Sequence, residues 1–380
     1  MIAVTEPLGI IFIQPAYAHY RQELFDRLHA SYDVTFIFLQ GRNRLSRQLP
    51  RPEWKCITLN REDSRWWTIH LARLLLQHKP AVIVTSGNES PQTLLSILVS
   101  KLRGIPVVLW SESWDASERW FVCPRWKKRY REMRAKWATA RVGAVIVSGT
   151  HCLEYHRRLG AAESKMFFSP QSTIDHHSLA GPDEADPVSR SEKQTVDILY
   201  FSRIVRYKGL DVLLQAFAGL VVSNTEAHLL IVGEGPFRKG CERLRDEWRI
   251  PHVHFLGSVP NEEAWRYYQQ ADIFVLPCSG RDQLEAWGLV VNEALSMSLP
   301  VVTTKAVGCG PDLVQDGRNG YVVAPGDVEA LRQALRRLVE DRPRREQMGK
   351  GSRALFEEFN SYDREYRGFD AAIRFVLMHP

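Results

Sequence analysis

VDILYFSRIVRYKGLDVLLQAFAGL, residues 196–220, decides how this 380-residue chain is read. VDILY is a short apolar run of strand type, the residues after it form a tight polar loop, and Leu210 to Leu220 carry helical apolar spacing. Strand, loop and helix together are one half of a βαβ unit. Arg203 and Lys208 stand at the two ends of the loop, so both can point over the carboxyl end of the strand, where α/β sheets place their ligands.

Working outward, the same alternation recurs in two series. The first predicts strands at Gly9–Ile13, Val34–Leu39, Cys56–Leu59, Ala81–Thr85, Pro106–Trp110, Ala144–Ser148 and Lys165–Phe168, with helices such as Ile69–Gln77 and Gln92–Leu102 between them. The second predicts Ile198–Phe201, Leu229–Val232, His254–Leu256, Ile273–Leu276, Val301–Thr304 and Tyr321–Val323. Short Val/Ile-rich strands separated by helices imply parallel sheets covered on both faces. Ser178 to Thr195 is rich in Pro, Ser and charge, lacks periodicity, and is read as a linker. The expectation is an α/β chain of two Rossmann-like domains: residues 1–177, a linker 178–195, and residues 196–360, followed by a last helix from Ser361 to Met378.

Chemistry concentrates in DQLEAWGLVVNEALSMSLPVVT, residues 282–303, where Glu285 and Glu293 lie eight residues apart. Ala286, Trp287 and Gly288 read as a turn and Leu289 to Ser298 as a helix, whose free N–H groups and positive dipole end suit an anion. Gly288 would let the backbone approach a ligand closely. Glu293, about one turn into the helix, can accept hydrogen bonds from vicinal hydroxyls such as a ribose edge, and Glu285 can do the same for a sugar.

This Glu-x7-Glu pattern, taken with Arg203 and Lys208, resembles the retaining, family-4 (group 1) type of GT-B glycosyltransferase, which moves a sugar from a nucleotide diphosphate to an acceptor. The resemblance extends to HLLIVGEGPFRKG, residues 228–240. After Gly233 and Gly235 the next glycine, Gly240, comes too late for a dinucleotide fingerprint, but the Gly-x-Gly-Pro turn matches the family's segment near the nucleotide. Residues 253–278 look like its Phe-Leu-Gly segment, followed by a helix and an inner strand.

The resemblance implies two domains facing across a cleft, with the last helix crossing back onto the first. It assigns Arg203 and Lys208 to the donor pyrophosphate, Glu285 to the donor sugar, Glu293 to the ribose, and the N–H groups around Gly288, Leu289 and Val290 to the diphosphate. Charge developing on the leaving diphosphate must be neutralised, and no Asp-x-Asp motif occurs, so a guanidinium and an ammonium are the natural substitutes for a metal. No cofactor beyond the nucleotide sugar is implied.

Composition bounds the rest. The length suits two cores. No apolar run approaches the roughly 20 residues of a membrane helix and no leader is recognisable, so a cytoplasmic enzyme is expected, including one held on the inner face of a membrane. Six cysteines are scattered without a Cys-x-x-Cys pair, which speaks against a zinc site or disulfide frame. Residues 1–175 carry net charge +10 and the remainder −4. A positive acceptor domain suggests an anionic acceptor or surface; nucleic acid ranks low because no recognition signature accompanies the charge.

The first half fits the family template least. Where many relatives have a paired-glycine loop after strand one, this chain reads QPAYAHYR, residues 14–21. His19 and Arg21 there can reach a cleft, or His19 can be a solvated cap. Where many relatives have a histidine after the fifth strand, Glu112 stands, either an acceptor-side base or binding group or a carboxylate paired to a nearby Arg; Asp115 ranks below it. PRWKKRYREMRAKWATA, residues 124–140, aligns Trp126, Tyr130, Met133 and Trp137 on one helical face among seven cations and the single acid Glu132. It is either a peripheral contact with an anionic membrane, bringing the enzyme to a lipid-linked acceptor, or a helix packing its stripe on the domain's own core. The functional expectation is a retaining glycosyltransferase of polysaccharide or glycolipid assembly acting on a hydroxyl acceptor. A nucleotide-sugar epimerase and a non-catalytic nucleotide-sugar-binding subunit are the alternatives.

Overall fold

The structure, a computed structural model, describes residues 9–39, 53–59, 66–87, 90–115, 125–179, 194–222, 226–281 and 283–379. Its contacts divide the chain into two compact units: Met1–Ser113, Pro124–Gln171 and Tyr362–Pro380 make the first, and Trp114–Cys123 with Ser172–Ser361 the second. Most of the stretch read as a linker, from residue 180 to 193, lies outside the described residues.

In unit 1 the strands are β1 (Gly9–Gln14), β2 (Asp33–Phe38), β3 (Lys55–Thr58), β4 (Val82–Ser86), β5 (Val107–Ser111), β6 (Ala144–Val147) and β7 (Met166–Phe168). All pair in parallel, in the order β3-β2-β1-β4-β5-β6-β7. The period of two in β1 builds both faces. Ile10 and Phe12 join Phe36, Trp110 and Ile146 against Leu24, Phe25 and Leu28 of the helix Gln22–Ser31 and Phe369 and Ile373 of the helix Tyr362–Met378. Ile11 and Ile13 turn the other way, to Leu71 and Leu75 of the helix Trp67–Gln77, Ile97 of Pro91–Arg103 and Ala138 of Arg125–Thr139.

Those two helical layers differ at the surface. The helix Arg125–Thr139 buries Ala135 and Ala138 and leaves Trp126, Tyr130, Met133 and Trp137 at 69, 51, 60 and 39 % exposure. The aromatic stripe faces outward. The reading in which it packs on the core is thereby excluded.

Unit 2 repeats the plan with β8 (Val196–Phe201), β9 (Ala227–Val232), β10 (Val253–Gly257), β11 (Ile273–Leu276), β12 (Val301–Thr304) and β13 (Gly320–Val323), all parallel in the order β10-β9-β8-β11-β12-β13. One face packs on the helix Leu210–Val221, buried nearly all round, and on Val328–Glu340. The other packs on the short helices Ala264–Gln270 and Val290–Ser296 and on Leu355 and Phe356 of Arg342–Phe359. Chain order reverses between β8 and β11. At such a switch point adjacent loops diverge and open a crevice for ligand at the carboxyl ends of the strands.

Candidate active site

The residues singled out in the second half all fall in unit 2, on the loops after β8, β9 and β11 and on the helix Val290–Ser296. Lys208 closes a 3-10 turn, Arg206–Lys208, which the loop after β11 fixes: the Ser279 N–H donates to the Tyr207 carbonyl at 2.8 Å. Lys208 is 7 % exposed, and its Nζ lies 2.5 Å from Glu285 Oε2. Burial alone would push the ammonium pKa down; the Glu285 charge and hydrogen bond more than offset it and hold the lysine above its ordinary value. Lys208 is therefore half of a buried ion pair, where the sequence suggested a cation open to ligand. Arg203 is the open one: it is exposed, and its Nη2 donates to the Tyr207 hydroxyl at 3.1 Å.

Glu285 is held by its backbone. Its N–H donates to the Ala306 carbonyl at 3.0 Å, and its carbonyl accepts from the Gly308 N–H at 3.0 Å and the Trp114 indole N–H at 2.9 Å. Trp287 is buried, with its indole N–H on Asn292 Oδ1. Gly288 has φ of +98°, and a Cβ there would come within 3.0 Å of Val307 Cγ1 and 3.3 Å of Leu276 Cδ2. Glycine is thus needed for the turn and for the core beneath it. The helix is also shorter than expected, Val290–Ser296, because the chain turns left-handed at Ser298 with φ of +57°. Its dipole is correspondingly slight. The N–H groups of Gly288, Leu289 and Val290 nonetheless make no hydrogen bond to another described residue.

Glu293 is positioned by a residue that the sequence did not flag. The Tyr268 hydroxyl donates to Glu293 Oε2 at 2.6 Å. Tyr268 is fully buried and stacked on Phe201 at 5.1 Å; burial first, then the Glu293 charge, hold its phenol well above the ordinary range, so it remains a donor. His176 meets the Tyr268 ring edge-on, its imidazole pKa lowered by burial against the opposing pull of Glu293 and Asp175. Nothing local in WRYYQQ separates Tyr268 from Tyr267 as the one that reaches a carboxylate.

Gly233 and Gly235 knit the loop after β9 to the one that carries Arg203. The Gly233 N–H donates to the Gly257 carbonyl at 2.7 Å and the Ile204 N–H to the Glu234 carbonyl at 2.8 Å, and Cβ atoms at the two glycines would strike the Ser202 and Ile204 carbonyls.

In unit 1 the structure joins Arg21 and Glu112. Arg21 Nη2 donates to Glu112 Oε1 at 2.6 Å and Nη1 to Gln14 Oε1 at 3.0 Å, with the guanidinium over the Trp110 ring at 4.2 Å. Burial would lower the Arg21 pKa, but Glu112 and its other neighbours raise it on balance. Gln171 Nε2 also donates to Glu112 Oε1, at 2.5 Å. Both bonds fall on one oxygen, leaving Oε2 without a partner among the described residues. His19 begins the same short turn, its ring against Tyr20, outside this bonded group. Gln14 and Gln171 carry no sequence signal for such a role.

Residues 183–355 match the family model described as glycosyl transferases group 1. The chain is 27% identical over 335 residues to a sulfoquinovosyl transferase of Arabidopsis thaliana, covering 84% of this chain and 60% of that protein. It is 34% identical over 160 residues to a GDP-mannose-dependent alpha-(1-6)-phosphatidylinositol monomannoside mannosyltransferase of Mycolicibacterium smegmatis, covering 41% of this chain and 42% of that protein. The matches thus span about half the length of these curated relatives. Among solved structures, Anabaena HepE in complex with UDP and glucose superposes with a TM-score of 0.76 at 14% identity over 97% of this chain and 99% of that one. The fold is GT-B, two Rossmann-like units.

The ion pair makes a prediction that differs from that for a surface cation. Lys208→Ala or Glu285→Ala leaves its partner charged and buried, which should cost roughly 3–5 kcal/mol in denaturant unfolding of unit 2. The apolar double variant Lys208→Met/Glu285→Leu should recover much of that loss. Singles within about 0.5 kcal/mol of wild type, the usual range for surface substitutions, would show that the pair is not buried as described.

Proposed function

We propose that this chain is a nucleotide-sugar-dependent glycosyltransferase that retains anomeric configuration. The observation that carries the reading is the meeting of Lys208, Glu285, the open N–H groups at Gly288 to Val290 and the Tyr268-braced Glu293 around one switch point. The match of residues 183–355 to the group 1 glycosyl transferase model supports it.

In the reaction, the acceptor oxygen bonds to the anomeric carbon as the bond from that carbon to the diphosphate oxygen breaks, both on one face of the sugar. The leaving diphosphate takes the acceptor proton, so no strong protein base is required. Lys208, Arg203 and the three N–H groups meet the charge that develops on the diphosphate. Glu285 is set by its backbone to orient the sugar, and Glu293 takes the ribose hydroxyls. On the acceptor side, Glu112 offers Oε2 to a hydroxyl while Arg21 and Gln171 hold Oε1, which makes Arg21 a positioning residue. His19 stands beside them as a candidate.

No metal is invoked, because fixed cations supply the charge. Arg203→Ala, removing an exposed cation with little structural role, should lower turnover by about 10²–10³ with a responsive nucleotide sugar and acceptor, and a chelator should leave wild-type turnover intact. Unchanged turnover in Arg203→Ala, or inhibition by chelator that magnesium or manganese reverses, contradicts the assignment. Sugar interconversion with donor alone would reveal an epimerase instead.

The acceptor we infer is lipid-linked or otherwise membrane-bound, reached from the cytoplasmic side through the helix Arg125–Thr139, although among the described residues no helix is long and apolar enough to cross a membrane. The outward stripe Trp126, Tyr130, Met133 and Trp137 on a cation-rich helix supports this reading, each cation adding ~1 kcal/mol near an anionic surface. The mannosyltransferase relative is named for a phosphatidylinositol monomannoside. Sedimentation with anionic vesicles should show binding that falls with salt and when Arg129, Arg131, Arg134 and Lys136 become Gln. Binding indifferent to those changes would contradict it.

A further inference from the structure

We propose that the membrane contact is not one helix but a whole layer of unit 1, in which the helices Trp67–Gln77 and Pro91–Arg103 insert apolar side chains and Arg125–Thr139 supplies charge. The inference rests on the membrane reading of Arg125–Thr139 and widens it.

The three helices pack side by side on one face of the sheet, through Leu71, Leu75, Ile97 and Ala138. Their outward stripes follow helical spacing. Trp66, Ile69 and Leu76 are 64, 51 and 41 % exposed, and Leu98 and Leu102 are 56 and 71 % exposed. A water-facing helix normally carries polar residues and acid–base pairs along that stripe. These two carry no acid at all; the charged residues among the apolar ones are Arg73, Lys101 and Arg103, all exposed.

The opposite layer of the same sheet supplies the comparison. The helices Gln22–Ser31 and Tyr362–Met378 pair Arg27 with Glu23, Arg367 with Asp363 and Arg374 with Asp370, the ordinary chemistry of a solvated face. One sheet thus presents a charge-paired side and a side on which two of the three helices carry apolar stripes without an acid. Isolated exposed apolar residues need no explanation, but large ones repeated along adjacent helices mark an interaction surface. Arg73, Lys101 and Arg103, which make no ion pair among the described residues, point to an anionic bilayer, with lipid tails for the leucines and headgroup phosphates for the cations.

Vesicles of phosphatidylcholine with phosphatidylglycerol test this. Leu98→Ser/Leu102→Ser, and separately Ile69→Ser/Leu76→Ser, should each weaken vesicle binding about tenfold or more, since lost apolar burial is not screened by salt. Their loss should persist at high ionic strength, unlike that of the Gln variants on Arg125–Thr139. Hydrogen exchange on wild type should show vesicle protection in residues 67–77 and 91–103 and none in 22–31 or 362–378. If the Ser variants bind like wild type while the Gln variants do not, or if 67–77 and 91–103 gain no protection, this inference fails and the single-helix reading stands. If wild type binds no vesicle, both fail. A lipid-free dimer dispersed by the Ser substitutions would assign the face to a second copy of the chain and overturn the bilayer.

Discussion

An ammonium and a carboxylate, Lys208 and Glu285, are taken out of water together in unit 2, and the rest of the site is arranged around making that tolerable. Their side chains are 8 and 15 % exposed. A lysine so placed without its partner would lose its proton or draw water in; with the partner, it stays charged. Holding a pair at 2.5 Å requires that both backbones be fixed. The loop after β8 is pinned by Ser279, and the segment after β11 is pinned by Ala306, Gly308 and Trp114. A buried pair is weak evidence for stability, because apolar replacements often do as well. On the proposed reading, the pair does work that an apolar pair could not do.

That work follows from what a diphosphate would bring. A dianionic group arriving beside Lys208 offers the ammonium a second and stronger partner, which frees Glu285 for hydroxyls. On the proposed reading, the ammonium that has exchanged Glu285 for the diphosphate is already in place for the step in which charge moves onto the leaving oxygen. The braced Glu293 and the Glu112 of unit 1 are alike in that each carboxylate is oriented through one oxygen, by the buried Tyr268 in one case and by Arg21 with Gln171 in the other.

Much of the fold was legible in the sequence because parallel strands buried on both faces announce themselves as short Val/Ile/Leu runs. All thirteen expected strands lie where β1 to β13 do, to within a residue or two at their ends. The local motifs were equally readable, since strand, loop and helix follow in fixed order. What could not be read were contacts between distant segments. Lys208 and Glu285 are far apart in the chain, as are Tyr268 with Glu293 and Arg21 with Glu112, and no periodicity encodes such pairings. One local reading also gave way to packing: the helix after Gly288 stops at Ser296. The outward stripe of Arg125–Thr139 was visible as a stripe, but which side it faced depended on Ala135 and Ala138, small enough to sit against the sheet.

A structure of the chain with a bound nucleoside diphosphate sugar tests the central claim most directly, through the partner of Lys208 Nζ. The account predicts that Nζ moves from Glu285 to a diphosphate oxygen, with Glu285 turned to the sugar and the N–H groups of Gly288 to Val290 on the phosphates. A nucleotide seated elsewhere, or in place with the Lys208–Glu285 pair intact and no phosphate against the ammonium, would contradict it.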